Sequence, residues 1–371
     1  MRIERVELYH INMPLVAPFE TSGWVETERA VPLLAVYSEG LVGWGESVAS
    51  SSGGPWYSYE TDETAWLILS KYLIPMVLGE DLADPAETSG RLARVRGHNM
   101  AKAALEMALW DLHAKARGVS LSRLLGGVRE RVDVGVSVGI QPSIPATVER
   151  IGRYLADGYC RIKVKTRPGW DTELVRAIRA TFPAIRLQVD ANSAYTLADL
   201  PTLQALDAFD LLLIEQPLGH DDIFDHVQVQ RSVRTPVCLD ESIHSVDHAR
   251  AALELGACRI INIKAGRVGG LQESRRIHDL CRARGYAVWC GGMLETNIGR
   301  AHNVALASLP GFTLPGDISA TARYYAQDIA APDFVLNPGG TLDVPAGPGI
   351  GVEILPERLK AVTLRVETFR A

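Results

Sequence analysis

Five ionisable residues recur at near-constant intervals in the second half of the chain: Lys165, Asp190, Glu215, Asp240 and Lys264, spaced by 25, 25, 25 and 24 residues. Each closes an apolar run: "RIKVK", "LQVD", "LLLIE", "VCLD" and "IINIK". That interval is the length of one strand and its returning helix, so the side chains recur once per βα unit. At the C-terminal ends of neighbouring parallel strands they converge on one mouth. Taken singly, each carboxylate reads equally well as a helix N-cap. As a set, three acids that close apolar runs need a partner, because an unpaired buried charge is expensive. Three acidic oxygens with no His or Cys among them suit a hard divalent cation, Mg2+ first.

The lysines add acid–base chemistry. Only seven of the 38 Lys and Arg residues are lysine, at 71, 102, 115, 163, 165, 264 and 360. Arginine keeps its proton, whereas a desolvated lysine can serve as a base. Lys163 and Lys165 share one face of a strand "RIKVK". A second ammonium at ~6 Å with an effective dielectric of ~20 contributes about 3 kcal/mol, or about 2 pKa units, toward deprotonating its neighbour. Lys163 is therefore expected to lower the pKa of Lys165, with Lys264 facing Lys165 across the mouth. A substrate carboxylate on the cation, between two lysines, points to removal of the proton α to that carboxylate.

These positions need elements to hold them. From about residue 130, eight strand-like runs alternate with helix-like stretches: "VDVGVSVGI", "RIKVK", "LQVDAN", "LLLIEQP", "VCLDES", "IINIK", "AVWCGGM" and "FTLPGDI". "PGWDTELVRAIRATF" and "GGLQESRRIHDLCRARG" carry helix start and stop residues. The pattern predicts an α/β fold with a closed TIM-type barrel, an open doubly wound sheet being the alternative. After the eighth run the helical rhythm fails, so a last barrel helix is expected to be missing. Residues 1–128 read instead as a separate α+β domain: two long alternating segments, the second with a Glu-Gly turn, then helices near 60–75 and 99–117. In the latter, Ala104, Leu105, Ala108, Leu109 and Leu112 form an apolar stripe. "VAPFETSGW" and "SSSGGPWYSYET" read as lid-like connections.

The 371 residues are 47% hydrophobic, with a net charge of −6 and no basic stripe, which excludes a nucleic-acid partner. No apolar run reaches the ~18 residues of a membrane span and no signal-peptide core opens the chain, so a cytoplasmic protein is expected. Five cysteines without a CxxC argue against disulfides or zinc. "GVSVG" at 135–139 matches a nucleophile elbow, but the strand pattern continues past Ser137 instead of turning into a helix.

The succession "KVK", "VDAN", "IEQPL", "LDES", "NIKAGRVGG" and "CGGMLET", with "GHNMAKAALEMALWDL" before it and "GPGIGV" after it, closely resembles the o-succinylbenzoate synthase / N-acylamino acid racemase group of the enolase superfamily. The resemblance implies a capping domain at 1–128, a modified (β/α)7β barrel at 129–320 and a segment 321–371 that returns to the cap. It implies Asp190, Glu215 and Asp240 as ligands of Mg2+, Mn2+ or another divalent cation, and Lys165 and Lys264 as the acid/base pair. Lys163 and Asn192 would lie near the substrate carboxylate, Arg267 and Glu241 would support the site, and Ser137, Met293 and Asp317 would line the pocket. Phe19 and Tyr57 would belong to capping loops. A homo-oligomer, dimer or octamer, is implied as well.

The implied reactions are dehydration of a cyclohexadiene carboxylate to o-succinylbenzoate, for menaquinone synthesis, and racemisation of N-acyl or N-succinyl amino acids. Dipeptide epimerases and muconate-cycloisomerase-like enzymes share the two lysines. Dipeptide epimerases resemble one another in an Asp-x-Asp at the eighth strand, whereas this chain has Asp317-Ile318-Ser319, which favours an uncharged, acylated nitrogen. A Schiff-base aldolase would need one lysine and no carboxylate trio. A non-catalytic metabolite-binding barrel would show no exchange of the α proton with solvent. Lys163→Arg keeps a charge while Lys165→Arg removes a titratable amine, so the former is expected to lower turnover of an N-succinyl amino acid less. Equal losses of kcat would refute this division of labour.

Overall fold

Strand and helix alternate from residue 136 onward, at the rhythm the sequence predicts. In the computed structural model, which describes residues 1–52 and 55–371, seven parallel strands follow one another in sequence order in one sheet. They are Val136–Val138, Arg161–Lys165, Arg186–Asp190, Ile214–Glu215, Val237–Leu239, Ile260–Ile263 and Ala287–Cys290. Gly53 and Gly54, in the expected lid stretch "SSSGGPWYSYET", lie outside the described residues.

The eighth run is not a regular strand. Phe312 bridges Val288 and Gly316 bridges Val134, both in parallel, and these two isolated bridges close the ring. Pro315 has no N–H to give, so a continuous ladder cannot form there. Gly316 instead donates to Asp133 O at 2.9 Å, and Gly135 donates to Gly316 O at 2.8 Å. The first run also divides. Arg131–Asp133 pairs antiparallel with Thr341–Asp343, and only Val136–Val138 enters the barrel. Ser137 sits mid-strand, and the next helix, Ile144–Ala156, starts only after its Ser143 cap. This geometry rules out a nucleophile elbow. Past Asp317 the chain makes a short helical turn, Thr321–Arg323, and its next helix, Pro356–Val362, leads into the cap strand Thr363–Arg370 and does not close the barrel.

The cap is a four-stranded antiparallel sheet in the order Thr363–Arg370, Arg5–Glu20, Val25–Ser38, Leu41–Glu46. The expected Glu-Gly turn is present, with Glu39 at φ 53° and Gly40 at φ 78°. Helix Asn99–Ala116 lies beneath this sheet, and it is buried on almost every side. The stripe read from the sequence, Ala104, Leu105, Ala108, Leu109 and Leu112, fills the cap core. Ala103, Met107, Trp110 and Ala114, on the other side, join the core shared with the barrel. A helix buried on nearly all sides belongs between two layers. The sheet approaches it closely: a Cβ added at Gly45 would lie 2.0 Å from Ala104 O.

Two buried carboxylates dock the cap onto barrel helices. Glu46 accepts from Thr296 N at 3.1 Å and Gly299 N at 2.9 Å, at the start of Asn297–Ala307. Glu106 accepts from Leu271 N at 2.7 Å and Gln272 N at 2.9 Å, at the start of Leu271–Ala283. Unpaired N–H groups and the helix dipole favour an acid there. Burial nevertheless dominates and pushes both carboxyls up from 4.5 to about 7. An acid with a raised pKa holds its proton more tightly folded than unfolded, so its stabilising contribution is complete below pH 4.5 and is lost as the pH rises toward 7. Glu46→Gln removes that titration. The fall in melting temperature between pH 4.5 and 7 is expected to be smaller in the variant than in the native chain; superimposable pH profiles would refute it.

Candidate active site

Strand register brings the predicted residues to one level. Ser137 pairs with Lys163, Lys165 with Asp190, and Asp190 with Glu215. Asp240 follows directly on Val237–Leu239, and Lys264 on Ile260–Ile263. All of these side chains are buried.

Each cation faces an anion. Lys165 Nζ donates to Asp190 Oδ2 at 2.7 Å and to Asn192 Oδ1 at 2.6 Å. Lys264 Nζ donates to Asp240 Oδ2 at 2.7 Å and lies 3.0 Å from the Tyr57 hydroxyl. Arg267 donates to the other oxygen of Asp240. Lys163 Nζ lies 2.8 Å from Asp317, 3.1 Å from Asp190 and 3.2 Å from Glu215. Asn192, at φ 42°, ties Lys165 to Glu241 through a 2.8 Å bond from its Nδ2.

The charges shift one another in consistent directions. Burial opposes the ammonium of Lys163, but Asp317, Glu215 and Asp190 outweigh it and hold its pKa well above the ordinary lysine value. Lys264 is likewise raised, by Tyr57, Glu241 and Glu215 against burial. Burial works against the charge of Asp190 and Asp317 too, yet the surrounding cations pull both below the usual carboxylate range. Glu215 and Glu241 are raised, first by burial and then by the neighbouring charge of Asp190. The expectation that Lys163 acts as a bare like charge beside Lys165 therefore needs correction. Three carboxylates neutralise Lys163, so the ~3 kcal/mol repulsion assumed for an isolated pair is largely cancelled.

Asp190, Glu215 and Asp240 fit a hard divalent cation by the chemistry of the donor set, which is all oxygen. Beside them Glu241 Oε2 is buried with no hydrogen-bond partner. Their oxygens are turned onto lysines and spread more widely than a closed ligand set. Among the described residues, the group whose ligand atoms all lie within 4.8 Å of one another is His10, Asp62 and Glu63, on the cap.

A cavity with an open mouth lies between barrel and cap. Phe19, Tyr57, Ser137, Lys163, Lys165, Asn192, Lys264, Met293 and Asp317 line it, which places every predicted pocket residue on its wall. Asp190, Glu215, Asp240, Glu241 and Arg267 are reached through the lysines and Asn192. Lys165 and Lys264 stand on the second and sixth strands of a ring of eight, hence on opposite walls. Ser137 Oγ is buried without a partner, ready for a ligand. The cap contributes Trp24, Glu26 and Arg29, which sequence reasoning missed. Arg29 Nη1 donates to Glu26 at 2.8 Å and Trp24 Nε1 to Glu26 at 3.1 Å. Their only signal is an acid and a base three residues apart, just past the lid-like stretch "VAPFETSGW".

Two family matches cover most of the chain. Residues 4–126 match the mandelate racemase / muconate lactonizing enzyme N-terminal domain, and residues 146–358 match the enolase C-terminal domain-like family. The chain belongs to the enolase superfamily. The expected resemblance within that superfamily is borne out. The chain is 51% identical over 370 residues to an o-succinylbenzoate synthase of Geobacillus kaustophilus, covering 100% of this chain and 98% of that one. It is 52% identical over 364 residues to an N-succinylamino acid racemase of an Amycolatopsis species, covering 98% of each. A crystal structure of an enolase-superfamily member from Listeria innocua superposes with a TM-score of 0.96 at 40% identity, covering 100% of this chain and 99% of that one. In this superfamily member Gly291 admits Lys264: an added Cβ would lie 2.3 Å from Asn262 Oδ1 and 2.8 Å from Lys264 Cε. Gly291→Ala is expected to cost about 1–3 kcal/mol by overpacking. A denaturation midpoint equal to that of the native chain would refute the close approach.

Proposed function

We propose that the chain removes the proton α to a substrate carboxylate, and that it does so as an o-succinylbenzoate synthase, an N-succinylamino acid racemase, or both. The observation that carries this reading is two lysines on opposite walls of one cavity, each hydrogen-bonded to a carboxylate of the same ring. A divalent cation, Mg2+ or Mn2+, held by Asp190, Glu215 and Asp240 would supply positive charge to the substrate carboxylate and to the charge that builds when the proton leaves.

The residues of the chain do the rest. Lys163 presents its ammonium to the substrate carboxylate, and Ser137 and Asn192 offer hydrogen bonds beside it. Lys165 takes the α proton, and the electron pair it leaves behind gives an enediolate. In the dehydration, collapse of the enediolate expels the β-hydroxyl, which departs as water with a proton returned by Lys165. In the racemisation, one lysine removes the proton from one face and the other returns one to the opposite face, inverting the centre. The cap closes the cavity with Phe19, Trp24 and Tyr57, which keeps bulk water from the reacting carbon.

An acylated nitrogen is favoured over a free ammonium. Asp317 is already shared by Lys163 and Arg161, and Ser319, where an epimerase-like second acid would stand, turns its hydroxyl onto Gly135 O at 3.3 Å. We also propose a cytoplasmic homo-oligomer, dimer or octamer; no helix among the described residues is long and apolar enough to cross a membrane.

Exchange of the α proton in D2O, with Mg2+ present, tests the reading. Lys165→Ala and Lys264→Ala are each expected to lower kcat for dehydration and for racemisation by at least 10³-fold, the scale of a lost general base. Substantial turnover by either variant would refute the two-lysine assignment, and faster turnover of free dipeptides than of N-succinyl amino acids would refute the substrate class.

A further inference from the structure

The strand Arg161–Lys165 carries three cations on its barrel-facing side, not two. Arg161 stands one layer below Lys163, with no solvent exposure at all. A barrel interior is ordinarily filled by apolar side chains, so a fully buried guanidinium there needs compensation. It finds it on the eighth segment. Arg161 Nη1 donates to Asp317 Oδ1 at 3.1 Å, while Nη2 donates to Pro315 O at 3.1 Å and to Gly316 O at 2.6 Å. The other oxygen of Asp317 lies 2.8 Å from Lys163 Nζ. The Trp289 ring flanks both cations, 5.5 Å from Arg161 Cζ and 5.1 Å from Lys163 Nζ. Space for the guanidinium comes from Gly135, where an added Cβ would lie 2.3 Å from Arg161 Nε.

We propose that Arg161 is a positioning residue for substrate binding: it pins the loosely bridged eighth segment, fixes the Asp317 carboxylate, and through it sets where Lys163 presents its ammonium to the substrate carboxylate. The inference rests on the proposed function of this cavity. Because Arg161 occupies one oxygen of Asp317, only the other reaches Lys163, and the ammonium stays poised at the cavity wall. Without Arg161, Asp317 would have Lys163 as its one charged partner. The carboxylate would then draw the ammonium toward the eighth segment and away from the ligand.

The coupling has a signature that a purely structural residue lacks. Removing one member of a buried ion pair leaves the other uncompensated, whereas removing both is milder. With Mg2+ and an N-succinyl amino acid, Arg161→Met is expected to raise KM at least tenfold while kcat changes less than about threefold. Asp317→Asn alone also raises KM. In the Arg161→Met background, Asp317→Asn should lower KM again, because it frees Lys163. Calorimetric titration with the same ligand should give the same order of affinities. Independent, multiplying effects of the two substitutions, or a fall in kcat with KM unchanged, would overturn the proposal. Should Arg161→Met fail to fold, Arg161→Lys is the second variant. It keeps a charge but reaches one acceptor instead of three, so an intermediate KM is expected and a native KM would overturn the proposal. A native chain that neither acts on N-succinyl amino acids nor dehydrates the cyclohexadiene carboxylate would remove the proposed function as well. Normal turnover with additive variants would remove only the role of Arg161.

Discussion

Charge neutralisation at the barrel mouth is the constraint on which the rest of the molecule depends. Lys163, Lys165, Lys264 and Arg267 are buried among Asp190, Glu215, Asp240 and Asp317, and burying such groups without an opposite charge at hydrogen-bonding range would be costly. The strands must therefore stay in one register. A shift of one residue in Arg161–Lys165 would turn its cations outward and bring Ile162 and Val164 inward. The parallel sheet pays for its precision in this way, because the same pairing that holds the strands together also balances the site.

The cap is bound to the barrel by a related device. Glu46 and Glu106 reach the starts of two barrel helices, so the junction is secured by directed hydrogen bonds as well as by apolar contact. Helix Asn99–Ala116 sits between the two cores and belongs to both. The cavity opens at this junction, with its chemistry on strand ends and much of its outer wall on Phe19, near the end of a cap strand, and on the connections that carry Trp24 and Tyr57. Rigid strands set the reacting groups, and loops set the shape of what reaches them.

Much of this was legible in the sequence, because the interval between strand-end residues is a local property of each βα unit. The five charged positions, the seven strands and the absent last helix could be read in that way. What could not be read depended on long-range partners. The eighth segment has strand-like composition, but Pro315 withholds a donor and leaves two bridges. "VDVGVSVGI" reads as one strand because nothing local announces that Arg131–Asp133 pairs with Thr341–Asp343. The one-sided stripe on the helix at 99–116 understated its burial, since the second layer that covers Met107 and Trp110 is distant in the chain. Arg161 was overlooked for a similar reason: at the start of a strand an arginine reads as a solvated end. The electrostatic balance of Lys163 likewise depends on Asp317, at the far side of the ring.

The edge strand Thr363–Arg370 has a consequence for how the molecule is made. It pairs with the start of the chain, Arg5 opposite Arg370, across almost the full length of the polypeptide. During synthesis the barrel strands all emerge before that partner exists. The first strand, Arg5–Glu20, itself carries Phe19 to the cavity wall. The edge of the sheet that supports the pocket roof is thus completed only by a segment made after every barrel strand.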